Sequence, residues 1–289
     1  MSATQDIQIE TDVRGAHSLH PVVGAHFEDS QTRIINADCL NTLEEMEDGS
    51  CHAVITDPPF SSGARTDAGK NMRGGMQRGA KWQENWFSHD NLATHGFNYL
   101  MRLVAVELYR VTTPTATAHF FIDWRMYPNL YAVVESAGWI AKNLVVWDKK
   151  HFGMGGNYRN QHELILYCEK TAGADFRQKN LGNVISSKRA EMLHHPTEKP
   201  TDILGLMIRA VTDEGQTVLD PFMGSGSTLR AAKDNNRKSI GIEICREYCE
   251  VAAARMAQTV LPLDAPAMRP NAEFRNAASG VPGLDGGVQ

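Results

Sequence analysis

An apolar run, Ala53-Val54-Ile55, ends on Thr56-Asp57-Pro58-Pro59-Phe60, and this stretch constrains the fold more than any other in the chain. The run predicts a short buried strand. Proline has no N–H to give a neighbouring strand and fixes φ, so two in succession stop the sheet. The strand's carboxyl end then carries a carboxylate, a stiff backbone carbonyl and an aromatic ring within four residues. Open α/β sheets bind ligands at such ends. A corner of this kind can hold an exocyclic amine between two acceptors. It can equally be an ordinary Asp-Pro turn with Phe60 in the core.

The surrounding pattern alternates strands and helices. A strand over 32–35 leads through Asn36-Ala37-Asp38-Cys39 into a helix with Asn41 as its expected cap and Leu43 and Met46 inward. The strand over 53–55 completes a βαβ unit. Helices are expected over 99–112, stopped by Pro114, and over 129–137, ended by Gly138. Strands are expected over 115–122, 139–147 and 163–168. The last two follow each other with no helix between them, which predicts antiparallel neighbours. Further on come a helix over 201–211, a strand over 217–219, a helix over 229–235, a strand over 239–242 and a helix over 246–258. The predicted fold class is α/β, a mostly parallel sheet with one antiparallel strand and helices on both faces. It occupies one domain over 31–260, after a flexible arm over 1–30 and before a disordered tail over 261–289 rich in Pro, Ala, Gly and Asn.

Composition narrows the partners. The 289 residues carry a formal charge of -5, so any polyanion must be met by local basic patches. The segment 61–98 supplies one, as an insertion: Arg65, Lys70, Arg73, Arg78 and Lys81 stand against Asp67 alone, and Trp82, Trp86 and Phe87 follow. It reads as a loop that closes on a polyanion, or as a solvated insertion. A second, shorter recognition segment, 171–193, holds Arg177, Lys179, Lys188 and Arg189. Five scattered cysteines without a C-x-x-C pair predict reduced thiols and a cytoplasmic setting. The polar stretch 1–12 predicts no export signal, and no run approaches a membrane span. No metal site is expected. Cys245 and Cys249 lack a matching His pair, and His162-Glu163 lacks a second His at the zincin spacing. His195 reads as support for a turn, and Trp124 and Trp147 as core or rim.

The strongest local signal is Val218-Leu219-Asp220-Pro221-Phe222-Met223-Gly224-Ser225-Gly226-Ser227-Thr228. A strand, a tight glycine turn and a helix start let a nucleoside approach the backbone and meet free N–H groups. No G-K-[ST] follows, so it is not a P-loop, and Leu229 stands where a dinucleotide fingerprint needs its third glycine. Glu243 closes the next strand, placed for two ribose hydroxyls. Such a unit suits S-adenosylmethionine, which has a ribose and no phosphate.

With these residues in place the chain resembles the amino-methyltransferases of DNA in the motif order called the β class. Asp57-Pro58-Pro59-Phe60 resembles the family's D-P-P-[YF]. Asp220 to Thr228 resembles its cofactor loop, His195-Pro196-Thr197-Glu198-Lys199-Pro200 its H-P-T-x-K-P segment, and Asn36-Ala37-Asp38-Cys39-Leu40 its G-D-C-L segment. The four motifs come in the family's order and cover 32–258.

The resemblance implies a Rossmann-like methyltransferase that uses S-adenosylmethionine on double-stranded DNA, with a homodimer allowed. Asp57 and the Pro58 carbonyl, followed by Pro59, would hold the target amine, and Phe60 would stack on the extruded base. Asp57 orients the amine as an acceptor, and rate comes mainly from alignment and electrostatics. Asp38 and Cys39 would lie near the cofactor's adenine. Asp220, Pro221, Phe222, Gly224, Ser225, Gly226, Ser227 and Thr228 would line its methionine end, and Glu243 would hold its ribose. Thr197, Lys199 and Pro200 would cover it, with Lys199 on its carboxylate. Asp at the first position of the motif resembles the adenine-N6 enzymes more than the cytosine-N4 ones. Cytosine N4, a non-catalytic cofactor- and DNA-binding module and an NAD-dependent oxidoreductase are the competing readings.

Overall fold

A computed structural model of the chain describes residues 25–59, 94–153, 157–178, 180–188 and 198–258. Its strands are β1 (Phe27–Glu28), β2 (Thr32–Asn36), β3 (Cys51–Thr56), β4 (Thr112–Ile122), β5 (Ile140–Asp148), β6 (His162–Glu169), β7 (Val184–Ser186), β8 (Thr217–Asp220) and β9 (Lys238–Glu243). Its helices are α1 (Cys39–Glu45), α2 (Thr94–Val111), α3 (Tyr127–Ser136), α4 (Thr201–Val211), α5 (Ser227–Asp234) and α6 (Arg246–Ala257). Among the described residues the strands form one sheet in the order β1-β2-β9-β8-β3-β4-β6-β5-β7. Neighbours from β2 to β4 are parallel, and β7 is parallel to β5. β6 runs against β5, as the missing helix between those two strands predicted, and also against β4. The two-residue β1 is a second antiparallel strand, on β2.

Alternation along the strands puts apolar residues on both faces of the sheet. One face packs Val54, Phe120, Ile122, Leu166 and Leu219 against Cys39 and Leu43 of α1, Phe97, Met101, Val104 and Leu108 of α2, and Leu130 and Val134 of α3. The other packs Ile55, Phe121, Trp147, Ile165 and Val218 against Ile203, Leu204, Met207 and Ile208 of α4 and Ala231 and Ala232 of α5. At the β2 end, α6 places Cys249, Ala252 and Met256 on Ile34, Met223 and Leu229. A three-layer α/β architecture results.

Several boundaries differ from expectation for local reasons. Residues 25–30, expected in the loose arm, form a tight edge hairpin. His26 N donates to Ile34 O at 2.8 Å, and Asp29 Oδ1 takes the N–H groups of Gln31 and Thr32 at 2.8 Å. Thr94–Asn98, assigned to the basic insertion, are the first turns of α2, where Phe97 is buried. Pro114 does not stop a helix. It sits inside β4, where the register against β3 slips between Cys51/Thr112 and Ala53/Thr117, a place where a proline costs no ladder bond. The segment 171–193 contributes β7, on the edge beside β5. Residues 1–24, 60–93, 154–156, 179, 189–197 and 259–289 lie outside the described set, and with them most of the basic insertion, Lys179, Arg189, His195 and the tail. Among the described residues the five cysteines are free, no group of side chains suits a metal, and no helix is long and apolar enough to cross a membrane.

Candidate active site

Parallel pairing brings the carboxyl ends of β2, β9, β8, β3 and β4 to one edge of the sheet, on Asn36, Glu243, Asp220, Thr56 and Ile122. Because β6 is antiparallel, its first residues, not its last, arrive at that edge: Leu164 pairs with Ile122. Glu163 thereby meets Asp57, which follows β3 directly.

Four charges are chained there. Lys199 Nζ donates to Asp57 Oδ2 at 2.6 Å and lies 3.1 Å from Glu163 Oε2. The other oxygen of Glu163 accepts from Lys149. Lys199 is only 10% exposed, and its ammonium also lies 5.1 Å from the centre of the Phe121 ring. Two lysines against two carboxylates leave the chain neutral, which is the condition for keeping such groups away from water. Burial pushes the Asp57 carboxyl up, the Lys199 ammonium pulls it back, and Glu163 adds to the rise. Burial opposes the charge on Lys199, but Asp57 and Glu163 outweigh it and hold the ammonium above the ordinary lysine range. Burial also disfavours ionised Glu163, yet Lys199 and Lys149 keep its carboxyl below its usual range. Asp57 Oδ1, by contrast, is buried and has no hydrogen-bond partner among the described residues.

The glycine loop lies next to this corner. Val54 of β3 pairs with Leu219 of β8, and Thr56 Oγ1 donates to Asp220 Oδ1 at 2.7 Å. Asp220, 3% exposed, also accepts the Phe222 N–H at 3.1 Å. Burial raises its carboxyl to about 6, against hydrogen bonds from Thr56, Thr228 and Phe222 that lower it. Asp220 is thus a buried brace between the corner and the loop. Gly226, at φ 81°, starts α5 as a residue with a side chain rarely could, and a Cβ there would stand 2.9 Å from the Ala252 Cβ. At Gly224 a Cβ would meet nothing within 4 Å, so a ligand can reach that backbone. Ser225, Ser227 and Thr228 are buried. Arg255 of α6 donates to Ser227 Oγ at 3.0 Å and to Ser225 O at 3.3 Å, and it pairs with Glu198, which ties the segment before α4 to the loop.

At the end of β9, Glu243 Oε2 accepts the Gly224 N–H at 3.1 Å and Oε1 the Cys245 N–H at 2.8 Å. Those two bonds hold the Glu243 carboxylate at the edge beside the Gly224 backbone. Asp38 caps α1: its Oδ1 takes the N–H groups of Leu40 at 2.9 Å and Asn41 at 3.2 Å. That corrects the expected cap, Asn41, which lies inside the helix. The Cys39 thiol packs into the core, and burial pushes it up to about 12.

The edge therefore gathers Asp57, Pro58, Pro59, Asp220 to Thr228, Glu243, Asp38, Lys199 and Pro200, although they are dispersed in the chain. Lys199, expected on a cofactor carboxylate, is held by Asp57 and Glu163, because β6 delivers a second acid to the same place. Pro200 is buried and stands immediately before α4. Phe60 and Thr197 lie outside the described residues. Sequence reasoning missed Glu163, Lys149 and Arg255. The available signal for Glu163 was an acid opening an apolar run, 164–168, on a strand already read as antiparallel. Trp147, read as core or rim, is buried and donates from Nε1 to Ser187 O at 2.9 Å, whereas Trp124 is exposed.

The N6/N4 family model described as DNA methylase matches residues 51–254. A curated relative, the DNA adenine methyltransferase YhdJ of Escherichia coli (strain K12), is 28% identical over 267 residues, spanning 80% of this chain and 84% of its own length. Among solved structures, the M1.HpyAVI–SAM complex has a similar fold, with a TM-score of 0.56 at 22% identity over 78% of this chain and 99% of that one. PvuII DNA methyltransferase, described as cytosine-N4-specific, reaches a TM-score of 0.64 at 17% identity over 82% of this chain and 90% of its own.

Proposed function

The chain belongs to the N6/N4 DNA methylase family, and from that premise we propose that it transfers a methyl group to the N6 amine of an adenine turned out of double-stranded DNA. The observation that carries the reading is the state of Asp57: Oδ2 is anchored by Lys199 at 2.6 Å, while Oδ1 is buried and has no hydrogen-bond partner among the described residues. An acceptor held on one side and free on the other suits an exocyclic N–H. Asp57 Oδ1 takes one amine hydrogen and the Pro58 carbonyl the other, which turns the nitrogen lone pair away from both. Phe60 stacks on the base, since chemistry on a base requires its removal from the stack. As the new N–C bond forms the nitrogen becomes cationic and its N–H acidic, so the proton passes to the Asp57 Oδ1 that already accepts its hydrogen bond, and from there to water. No strong base is needed before that point.

S-adenosylmethionine, when bound, supplies an electrophilic methyl group. The residues present fit it: the backbone at Gly224 is approachable, the Glu243 carboxylate stands beside it where it would meet ribose hydroxyls, and the α5 start presents N–H groups. Gly224 to Thr228 would take the methionine end and Asp38 and Cys39 would lie beside the adenine, Asp38 fixed by its capping bonds. Lys199 and Pro200 close the site from the segment before α4, with Lys199 serving Asp57.

Asp at the head of the motif and the adenine-methylating relative YhdJ support N6 of adenine. The test is mass spectrometry of nucleosides from DNA treated with the chain and cofactor, for wild type and Asp57→Ala. The expected outcome is N6-methyladenine from wild type only, with cofactor binding retained in Asp57→Ala. N4-methylcytosine without N6-methyladenine would overturn the base assignment. Cofactor binding with no methylated DNA from either protein would favour a binding module.

A further inference from the structure

The hairpin joining β5 to β6 shares only its first residue, Lys149, with the charged corner described above. Residues 149–161 hold Lys149, Lys150, His151 and Arg159 and no acid, in a chain whose formal charge is -5. The root of the hairpin is firmly built. Lys149 N donates to Gln161 O and Gly153 N to Asn160 O, both at 2.9 Å. Asp148 Oδ1 accepts from Lys150 N at 2.9 Å and Gln161 Nε2 at 2.8 Å, and Oδ2 lies 3.8 Å from Lys150 Nζ. Beyond the root the hairpin presents aromatic surface to water. Phe152 is 57% exposed and Tyr158 fully exposed. The Arg159 guanidinium lies 4.0 Å over the Phe152 ring, and its Nε donates to Gly153 O at 2.7 Å. Two exposed rings with a guanidinium stacked on one of them form a mixed aromatic and cationic surface.

The hairpin is also bound to the catalytic corner. Lys149 at its root and Glu163 just beyond its other end form the pair that reaches Lys199 and Asp57. Whatever docks on the hairpin is therefore held at a fixed place relative to the reacting amine. Cations interleaved with exposed rings suit a nucleic acid, which offers phosphates and base faces together.

We propose that the two described arms of this hairpin, 149–153 and 157–161, are a docking surface for the DNA around the target base, with Tyr158 and Phe152 contacting bases or sugars and Arg159 and Lys150 contacting phosphates. The proposal rests on the DNA-methylating function argued above. The test measures binding of a short duplex, carrying a site that the wild-type chain methylates, to wild type, Tyr158→Ala and Arg159→Ala over a series of salt concentrations. Cofactor affinity and thermal unfolding are measured beside it. Tyr158→Ala is expected to weaken DNA binding about tenfold. Arg159→Ala is expected to reduce the slope of log affinity against log salt by about one. Cofactor affinity and unfolding should be unchanged. Wild-type affinity and salt slope in both variants would overturn the hairpin assignment while leaving the methyltransferase reading intact. A wild-type chain that neither binds nor methylates DNA overturns both. Variants that lose a subunit contact, seen as a fall in sedimentation mass with unchanged DNA binding, would reassign the surface to a second copy of the chain and overturn the proposal.

Discussion

At Asp57 two effects oppose each other, and their balance sets the chemistry. Burial favours the neutral acid, and the Lys199 ammonium at 2.6 Å favours the carboxylate. Among the described residues the other charges facing Asp57 are Glu163 and Lys149, with Asp220 at the end of the neighbouring β8. In Lys199→Met the cation is gone, so burial and Glu163 act together and the Asp57 pKa rises. A reaction that needs ionised Asp57 then loses its low-pH side, and the acid limb of kcat/KM against pH moves to higher pH. Lys199→Arg keeps the charge and should bring the limb back. The measurement is the pH–rate profile of the three proteins. A Lys199→Met profile lowered equally at every pH would mean that the lysine only holds structure.

Among the elements, β9 and α5 show how little slack surrounds the cofactor loop. Gly241 of β9 faces Met223 and Leu229, and a Cβ there would overlap the Met223 sulfur and stand 2.7 Å from Leu229 Cδ2. Met223 belongs to the loop, and its N–H donates to Ile242 O at 3.1 Å, so the loop cannot yield without leaving the sheet. Gly241→Ala is expected to destabilise the protein by about 1–3 kcal/mol through overpacking. It should also weaken cofactor binding, because the displaced residues are those of the loop. Urea unfolding should show a lower midpoint at unchanged slope. An unchanged midpoint would show that α5 shifts freely.

For the whole molecule, strand order ties early and late chain together. β8 and β9, from the carboxyl-terminal part, are inserted between β2 and β3, from the amino-terminal part. No single division of the chain leaves two complete sheets, so thermal unfolding of this unit should be one cooperative transition. S-adenosylmethionine at a hundred times its Kd should stabilise it by about 2.7 kcal/mol, a rise in Tm of about 5–10 °C. Because Asp57 contacts the target and not the cofactor in the proposed arrangement, Asp57→Ala should show the same rise. Calorimetric scans with and without cofactor decide this. Two transitions, of which the cofactor moves one, would show that the halves fold independently.

The amino-acid sequence by itself determined the repeating α/β pattern, the strand-ending prolines after Asp57, the glycine loop after Asp220 and the acid after the next strand. Each is a local rule: proline cannot continue a ladder, glycine tolerates φ 81° at Gly226, and apolar periodicity marks strands and helices. It also foretold that β5 and β6 run antiparallel, since no helix separates them. Only the tertiary structure decided what that reversal does. A strand entering the sheet backwards presents its beginning where its neighbours present their ends, so Glu163 arrives beside Asp57 from 106 positions along the chain. Lys199 stands between the two acids, because a buried ammonium goes where carboxylates compensate it. Such pairings are set by strand order and direction, and no window of sequence contains them.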